Sequence, residues 1–326
     1  MKIVSLAPLG GPALERIRAL GTLELDPWID HVPIKLHAAD ELRARLEGVE
    51  ALIVEADHVS REVIEGSSLR LLGVCRGDPN NVDLAAAATA GVTVVRTPGR
   101  NAGGVADLTV GLIIGLLRGI VAADADVRAG RWVVDGRIAQ QRYLGREVSS
   151  VTAGLVGCGA VGRAAAARLN ALGATVLGYD AALPAADLRA LSIEPVRDLG
   201  ELVARADVVS IHAPLLPATR GLVGEAELSR ARAGTFLVNT ARYGIVEEGA
   251  LLTALADGRL AGAAFDHFEN EFLPPDHPLV GMPNVILTPH IGGTTRETVA
   301  THTAIIAGGF EAALAGRPHP AIVTAP

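Results

Sequence analysis

Apolar positions recur along the chain in two registers. Short β-branched runs at residues 2–6, 51–54, 71–75 and 92–96 predict strands, and alanine- and leucine-rich stretches at 12–20, 39–46, 61–66 and 82–90 predict helices between them. Such alternation, punctuated by glycine and proline, is the pattern of an open parallel sheet. Gly91 follows the alanine run as a helix-ending glycine. The breaker cluster 97–101 marks a first domain boundary, and a single long helix is predicted from 103 to about 123. Residues 128–146 are polar and irregular, with Trp132 and Tyr143 among them, and read either as an arm against a partner subunit or as an ordinary surface connection. A second alternating series then begins, with strands at 152–156, 175–179, 208–211, 236–239, 262–265 and 285–287, the six-strand pattern of a doubly wound dinucleotide-binding domain. A last helix, from 295 to about 314, can pack back on the first domain. The predicted fold is α/β, with two doubly wound parallel-sheet domains.

Composition narrows the chemistry. A chain of 326 residues suits two domains of ~150 each, and 49% hydrophobic content excludes a disordered chain. A formal charge of −7 without a basic run argues against a nucleic-acid binder. The apolar stretch 108–117 falls short of the ~20 residues that span a bilayer, and the first residues read as a strand rather than a signal peptide, so no membrane partner is expected. Cys75 and Cys158 cannot make a disulfide framework and fit a reducing, cytoplasmic setting. Lys2 and Lys35 are the only lysines, and neither sits in a motif for Schiff-base or ATP chemistry.

The segment Gly157-Cys158-Gly159-Ala160-Val161-Gly162 fits G-x-G-x-x-G and stands between an apolar strand and an alanine-rich helix. Glycines there let the backbone turn tightly against a pyrophosphate at the helix N-terminus. Asp180 follows Gly162 by 18 residues at the end of the next predicted strand, where a carboxylate accepts from ribose hydroxyls and repels a 2′-phosphate. No arginine follows in Ala181-Ala182, so NAD is favoured over NADP.

Three further patches leave the carboxyl ends of predicted strands, where open α/β sheets bind ligands. They are Asn239-Thr240-Ala241-Arg242, Asp266-His267-Phe268-Glu269-Asn270-Glu271 and Thr288-Pro289-His290-Ile291-Gly292-Gly293. An arginine can grip a carboxylate, a histidine can pass a proton near neutral pH, and an acid can support the imidazole. Taken singly, Arg242, Glu271 and His290 read equally as a surface ion-pair partner, a solvated acid and a capped loop histidine. His267, Glu269, Asp276 and His277 show no paired metal-ligand spacing, so structural roles and no metal are expected.

From residue 80 to 293 the ordered motifs resemble the D-isomer-specific 2-hydroxyacid dehydrogenases, a family that includes the phosphoglycerate dehydrogenases. The motifs are Asn81-Val82-Asp83-Leu84, Thr97-Pro98-Gly99-Arg100-Asn101, the glycine motif, His212-Ala213-Pro214-Leu215, Asn239–Arg242, Asp266-x-Phe268-x-x-Glu271 and Thr288-Pro289-His290. The resemblance implies a hydride transfer between NAD(H) and a small 2-hydroxy or 2-oxo acid. It implies that Arg242 binds the substrate carboxylate, that His290 paired with Glu271 is the acid/base, and that Asp266 contacts the nicotinamide carboxamide. It also implies that His212, Ala213, Pro214, Thr240, Ala241, Gly292 and Gly293 line the cofactor. The substrate domain is implied to be flavodoxin-like and discontinuous, residues 1–100 with 295–326, around a Rossmann NAD-binding domain at 101–294. A homodimer through the cofactor domains is implied, and no serine-sensing regulatory domain is expected, since ten residues follow Gly316.

Two departures stand out. Phe272 follows Glu271 where the family commonly has proline, with Pro274-Pro275 slightly later, which bears on the path of that loop. The substrate loop reads Cys75-Arg76-Gly77-Asp78-Pro79-Asn80, with Arg76 and Gly77 where backbone amides usually meet the substrate carboxylate. A second guanidinium suits a substrate with a second anionic group; a salt bridge to Asp78 or a domain-closure contact is the other reading of Arg76. Two rival functions remain open: a reductase of the glyoxylate or hydroxypyruvate type, and a dinucleotide-sensing binding protein of the same fold.

Overall fold

The computed structural model describes residues 1–323, which divide into two compact units, one of residues 1–101 together with the chain from Thr295, the other of Ala102–Thr294. In the first unit, β1 (Lys2–Ser5), α1 (Leu14–Leu20), β2 (Thr22–Leu25), α2 (Ala39–Arg45), β3 (Ala51–Val54), α3 (Arg61–Ile64), β4 (Leu71–Val74), α4 (Leu84–Thr89) and β5 (Thr93–Arg96) alternate as the pattern predicts. The strands form one all-parallel sheet in the order β2-β1-β3-β4-β5, the flavodoxin-like doubly wound order. β3 and β4 are buried at every position, because a parallel sheet covered by helices on both faces has no solvent side. The sequence pattern misses β2: it is an edge strand, mostly exposed, and carries Glu24. Asp83 caps α4 by accepting from Ala86 N at 2.8 Å, and Gly91 takes φ 72° just beyond the helix.

The second unit opens with α5 (Ala102–Arg118) and α6 (Ile120–Arg128), where one helix was expected. Gly119 breaks it by adopting the left-handed conformation at φ 61°, and the two axes bend by 64°. The irregular stretch holds a short antiparallel hairpin, β6 (Val133–Val134) with β7 (Arg137–Ile138), and one helical turn, α7 (Ala139–Arg142). β8 (Thr152–Val156), α8 (Ala160–Ala171), β9 (Thr175–Tyr179), α9 (Ala185–Ala190), β10 (Glu194–Pro195), α10 (Leu199–Arg205), β11 (Val208–Ile211), α11 (Glu225–Leu228), β12 (Thr235–Asn239), α12 (Glu248–Ala256), β13 (Leu260–Phe265) and β14 (Val285–Leu287) follow. Their sheet is parallel throughout, in the order β10-β9-β8-β11-β12-β13-β14, a Rossmann sheet with one strand more than the six expected. The additional strand is β10, two residues at the edge, too short for a periodicity to register.

The chain ends in α13 (Arg296–Leu314), capped by Thr295, whose hydroxyl accepts from Thr298 N at 3.0 Å. α13 belongs to the first unit: Ile306, Ala307 and Phe310 pack in one buried cluster with Ile3, Ile17, Ile53 and Val95. Among the described residues no single helix is long and apolar enough to cross a membrane.

Candidate active site

In the second unit, β8, β9, β11, β12, β13 and β14 run parallel, so the loops that leave their carboxyl ends share one edge of the sheet. The glycine turn leaves β8. Gly157 takes φ 92°, and a side chain there would place its Cβ 2.7 Å from Ala213 N; at Gly162 it would lie 2.3 Å from Gly157 O. Gly159, which caps α8, differs: its missing Cβ points into open space, which leaves the amides of the helix start approachable by a phosphate. Ala160 and Val161 form the first turn of that helix. His212, Ala213 and Pro214 leave β11 against this turn, and His212 N donates to Val156 O at 2.8 Å. Burial pushes the His212 imidazole down to about 4, which leaves it neutral near pH 7.

Asp180, at the end of β9, accepts from Cys158 N at 2.7 Å, Ala182 N at 2.9 Å and Leu183 N at 3.1 Å. Burial disfavours its charge, but these amides and the nearby Arg163 outweigh that and hold the carboxyl below the usual range. The side chain thus ties the glycine turn to the following loop as well as presenting an anion where a ribose would lie. These features fit a dinucleotide.

The loop after β12 is clamped by the buried Asn239, whose amide donates to Arg242 O at 2.9 Å and whose carbonyl accepts from Ala241 N at 3.0 Å. Thr240 is fastened from below by a hydroxyl–hydroxyl bond to Thr109 of α5 at 2.9 Å. Arg242 itself is exposed and donates from Nη1 to Ala241 O at 2.8 Å. Asp266, buried at the end of β13, plays the same part for the loop after β14. It accepts from Thr288 Oγ1 at 2.6 Å, Ile291 N at 2.9 Å and Gly292 N at 2.8 Å. Gly292 is required there, since a Cβ would lie 2.9 Å from Asp266 Oδ2; Gly293 continues the loop, half-buried. The expected carboxamide contact of Asp266 therefore shares a side chain whose two oxygens already hold the histidine loop.

That loop delivers His290, whose Nδ1 lies 2.7 Å from Glu271 Oε1. Asn270, Glu271 and His290 have φ of 53°, 55° and 55°, left-handed values that side-chain-bearing residues rarely adopt. The path of the Glu271 loop also explains the missing proline: Phe272 N donates to Glu269 O at 3.2 Å, which proline could not do, and a residue before proline is driven to extended backbone rather than to φ 55°.

A further side chain, for which the sequence suggested only a structural role, lies beside this pair. His267 lies with Nε2 3.5 Å from Glu271 Oε1 and with its ring edge-to-face against His290, centroids 4.8 Å apart. Its Nδ1 is buried with no hydrogen-bond partner among the described residues. Burial first, then the charge of Arg242, pushes this imidazole down to about 4. The available signal was its position four residues before Glu271, in the variable place of the Asp266-x-Phe268 motif. Arg76 and Gly77 lie in the first unit. There Arg76 Nε donates to Glu55 O at 2.6 Å and Nη1 to Asn80 Oδ1 at 3.1 Å.

The model of the D-isomer specific 2-hydroxyacid dehydrogenase NAD binding domain matches residues 110–292. A D-3-phosphoglycerate dehydrogenase of Methanocaldococcus jannaschii is 32% identical over 318 residues, 97% of this chain but 58% of that protein. The chain thus spans little more than half the length of that relative. A glyoxylate reductase of Thermofilum pendens is 36% identical over 292 residues, covering 87% of this chain and 84% of its own length. The crystal structure of the TT0316 protein of Thermus thermophilus superposes over 99% of this chain and 100% of its own, with a TM-score of 0.81 and 34% identity.

Proposed function

The chain belongs to the D-isomer-specific 2-hydroxyacid dehydrogenases and carries their NAD-binding domain, and on that footing we propose that it interconverts a small D-2-hydroxy acid and its 2-oxo acid. The observation that carries this reading is the 2.7 Å pair of His290 Nδ1 and Glu271 Oε1, on the sheet edge that also bears Arg242 and the glycine turn. Glu271 fixes the orientation of the ring through Nδ1, which leaves Nε2 to give a proton to the carbonyl oxygen in reduction and take it back in oxidation. Arg242 binds the carboxylate common to all such substrates and polarises the neighbouring carbonyl. Bound NAD(H) supplies or accepts the hydride. Consumption of NADH with a panel of 2-oxo acids at neutral pH tests the reading. Turnover of one or more is expected; tight NADH binding with no turnover of any would make the chain a dinucleotide-sensing protein instead.

The finer reading is a substrate with a second anionic group, suggested by Arg76. Its guanidinium already braces Glu55 and Asn80, so loop support and substrate contact must be separated by substrate class. Arg76→Ala should cost phosphorylated, phosphonate or dicarboxylic substrates ~1.5–3 kcal/mol in kcat/KM and glyoxylate or pyruvate much less. An equal loss on both classes would mean that Arg76 holds the common carboxylate or the loop itself, with no second anionic group implied. We also propose a homodimer that covers Trp132, Val133, Ile138 and Leu144, all exposed on one chain; light scattering should give twice the chain mass, and Leu144→Asp should lower it.

A further inference from the structure

We propose that His267, Glu271 and His290 together form a site for a divalent transition cation of the zinc class. Each offers one ligand atom, and the three atoms lie within 4.8 Å of one another. Two imidazoles and one carboxylate are an established donor set for zinc, with a fourth position left to water. A tetrahedral ion with bonds of ~2.1 Å holds its ligands roughly 3.4 Å apart. The separations of 2.7 Å from Glu271 Oε1 to His290 Nδ1 and 3.5 Å to His267 Nε2 bracket that spacing. The remaining pair, the two imidazole nitrogens, lies within 4.8 Å, so closing the set draws the two rings together. The member that makes it a site is His267. Without it, Glu271 and His290 are a two-atom pair, too few to hold an ion against water.

The consequence is a reversible block on turnover. An ion held by these three side chains takes the place of the hydrogen shared between His290 and Glu271 and occupies the imidazole proposed as acid/base. Cation binding stands on the geometry alone; only the block on turnover rests on the proposed dehydrogenase reading.

The test titrates the chelator-stripped chain, without cofactor or substrate, with zinc chloride by calorimetry and with cobalt(II) chloride by visible absorbance. One ion per chain is expected, with the visible bands of low-coordinate cobalt. His267→Val should weaken binding at least about tenfold, since removal of a mere outer-shell partner already costs that much. His267→Gln, which keeps a polar side chain of similar reach, should do the same, and circular dichroism identifies any variant that has not folded. No binding to the wild type at millimolar ion, or unchanged affinity in the folded variants, would overturn the site. In NADH consumption, zinc should inhibit the wild type reversibly and the His267 variants at least about tenfold less well, each measured against its own metal-free rate. Equal inhibition of all three would place the inhibitory ion elsewhere and overturn the block on turnover. Binding without inhibition would uphold the cation site and remove His290 from turnover instead.

Discussion

At the scale of single residues, the site depends on side chains that hold backbone in shapes it would not choose. His290 is left-handed at φ 55° and is kept there by a loop that Asp266 grips at three points. His290→Asn should lower turnover by roughly 10²–10⁴, the usual worth of a general acid/base, while the NADH dissociation constant by calorimetry stays within about twofold. A comparable loss of NADH affinity would mean that the ring supports the cofactor rather than the proton. Asn239 is a subtler case, since it is buried and its side chain holds the Arg242 loop. Asn239→Ala removes both bonds of the clamp. It should raise KM for the 2-oxo acid about tenfold or more with a smaller change in kcat, because a displaced guanidinium misses the carboxylate. The pairing of Glu271 with His290 was legible in the sequence through the fixed order of their motifs. The clamp by Asn239 and the approach of His267 were not, because they depend on two loops from neighbouring strands converging, and spacing along the chain does not report that.

At the scale of elements, legibility followed burial. β3 and β4 are covered on both faces and stand out as unbroken apolar runs, whereas β2 and β10 lie at sheet edges and carry no such run. Gly119 looked like any helix glycine until the chain turned at it. The turn between β8 and α8 shows how one element borrows its shape from another, since Asp180 at the end of β9 holds Cys158 N. Asp180→Ala should therefore weaken NAD binding twice over, through the lost ribose acceptor and through a slackened glycine turn, and should also relax discrimination against NADP. Unchanged NAD affinity by calorimetry would mean the ribose is held elsewhere. At the end of β11, His212 gives the same unit a pH dependence. The folded imidazole sits at about 4, and unfolding returns it to ~6.5, so between those values the unfolded chain takes up a proton that the folded chain refuses. Stability falls as pH falls through that window, by on the order of 3 kcal/mol for this group, and is fully regained above it. Thermal melts from pH 7 to 4 should show a shallower decline for His212→Gln than for the wild type; parallel curves would assign the acid sensitivity to other groups.

At the scale of the whole molecule, the first unit is built from both ends of the chain. Phe310 of α13 is fully buried against residues from β1, α1, β3 and β5, and Gly309 lies so close to Val95 that a Cβ there would stand 2.3 Å from it. Phe310→Ala should destabilise that unit by ~3–5 kcal/mol, read as an early transition in urea, while the second unit's transition stays in place. The interruption also bears on the order in which the molecule is made. A ribosome delivers β1 to β5 first, yet the helix that covers one face of their sheet emerges only after all of Ala102–Thr294 has been synthesised. The later, contiguous unit can complete its core while the earlier one still waits with an apolar face uncovered, so of the two it is the β1–β5 segment that exposes apolar surface for longer during translation.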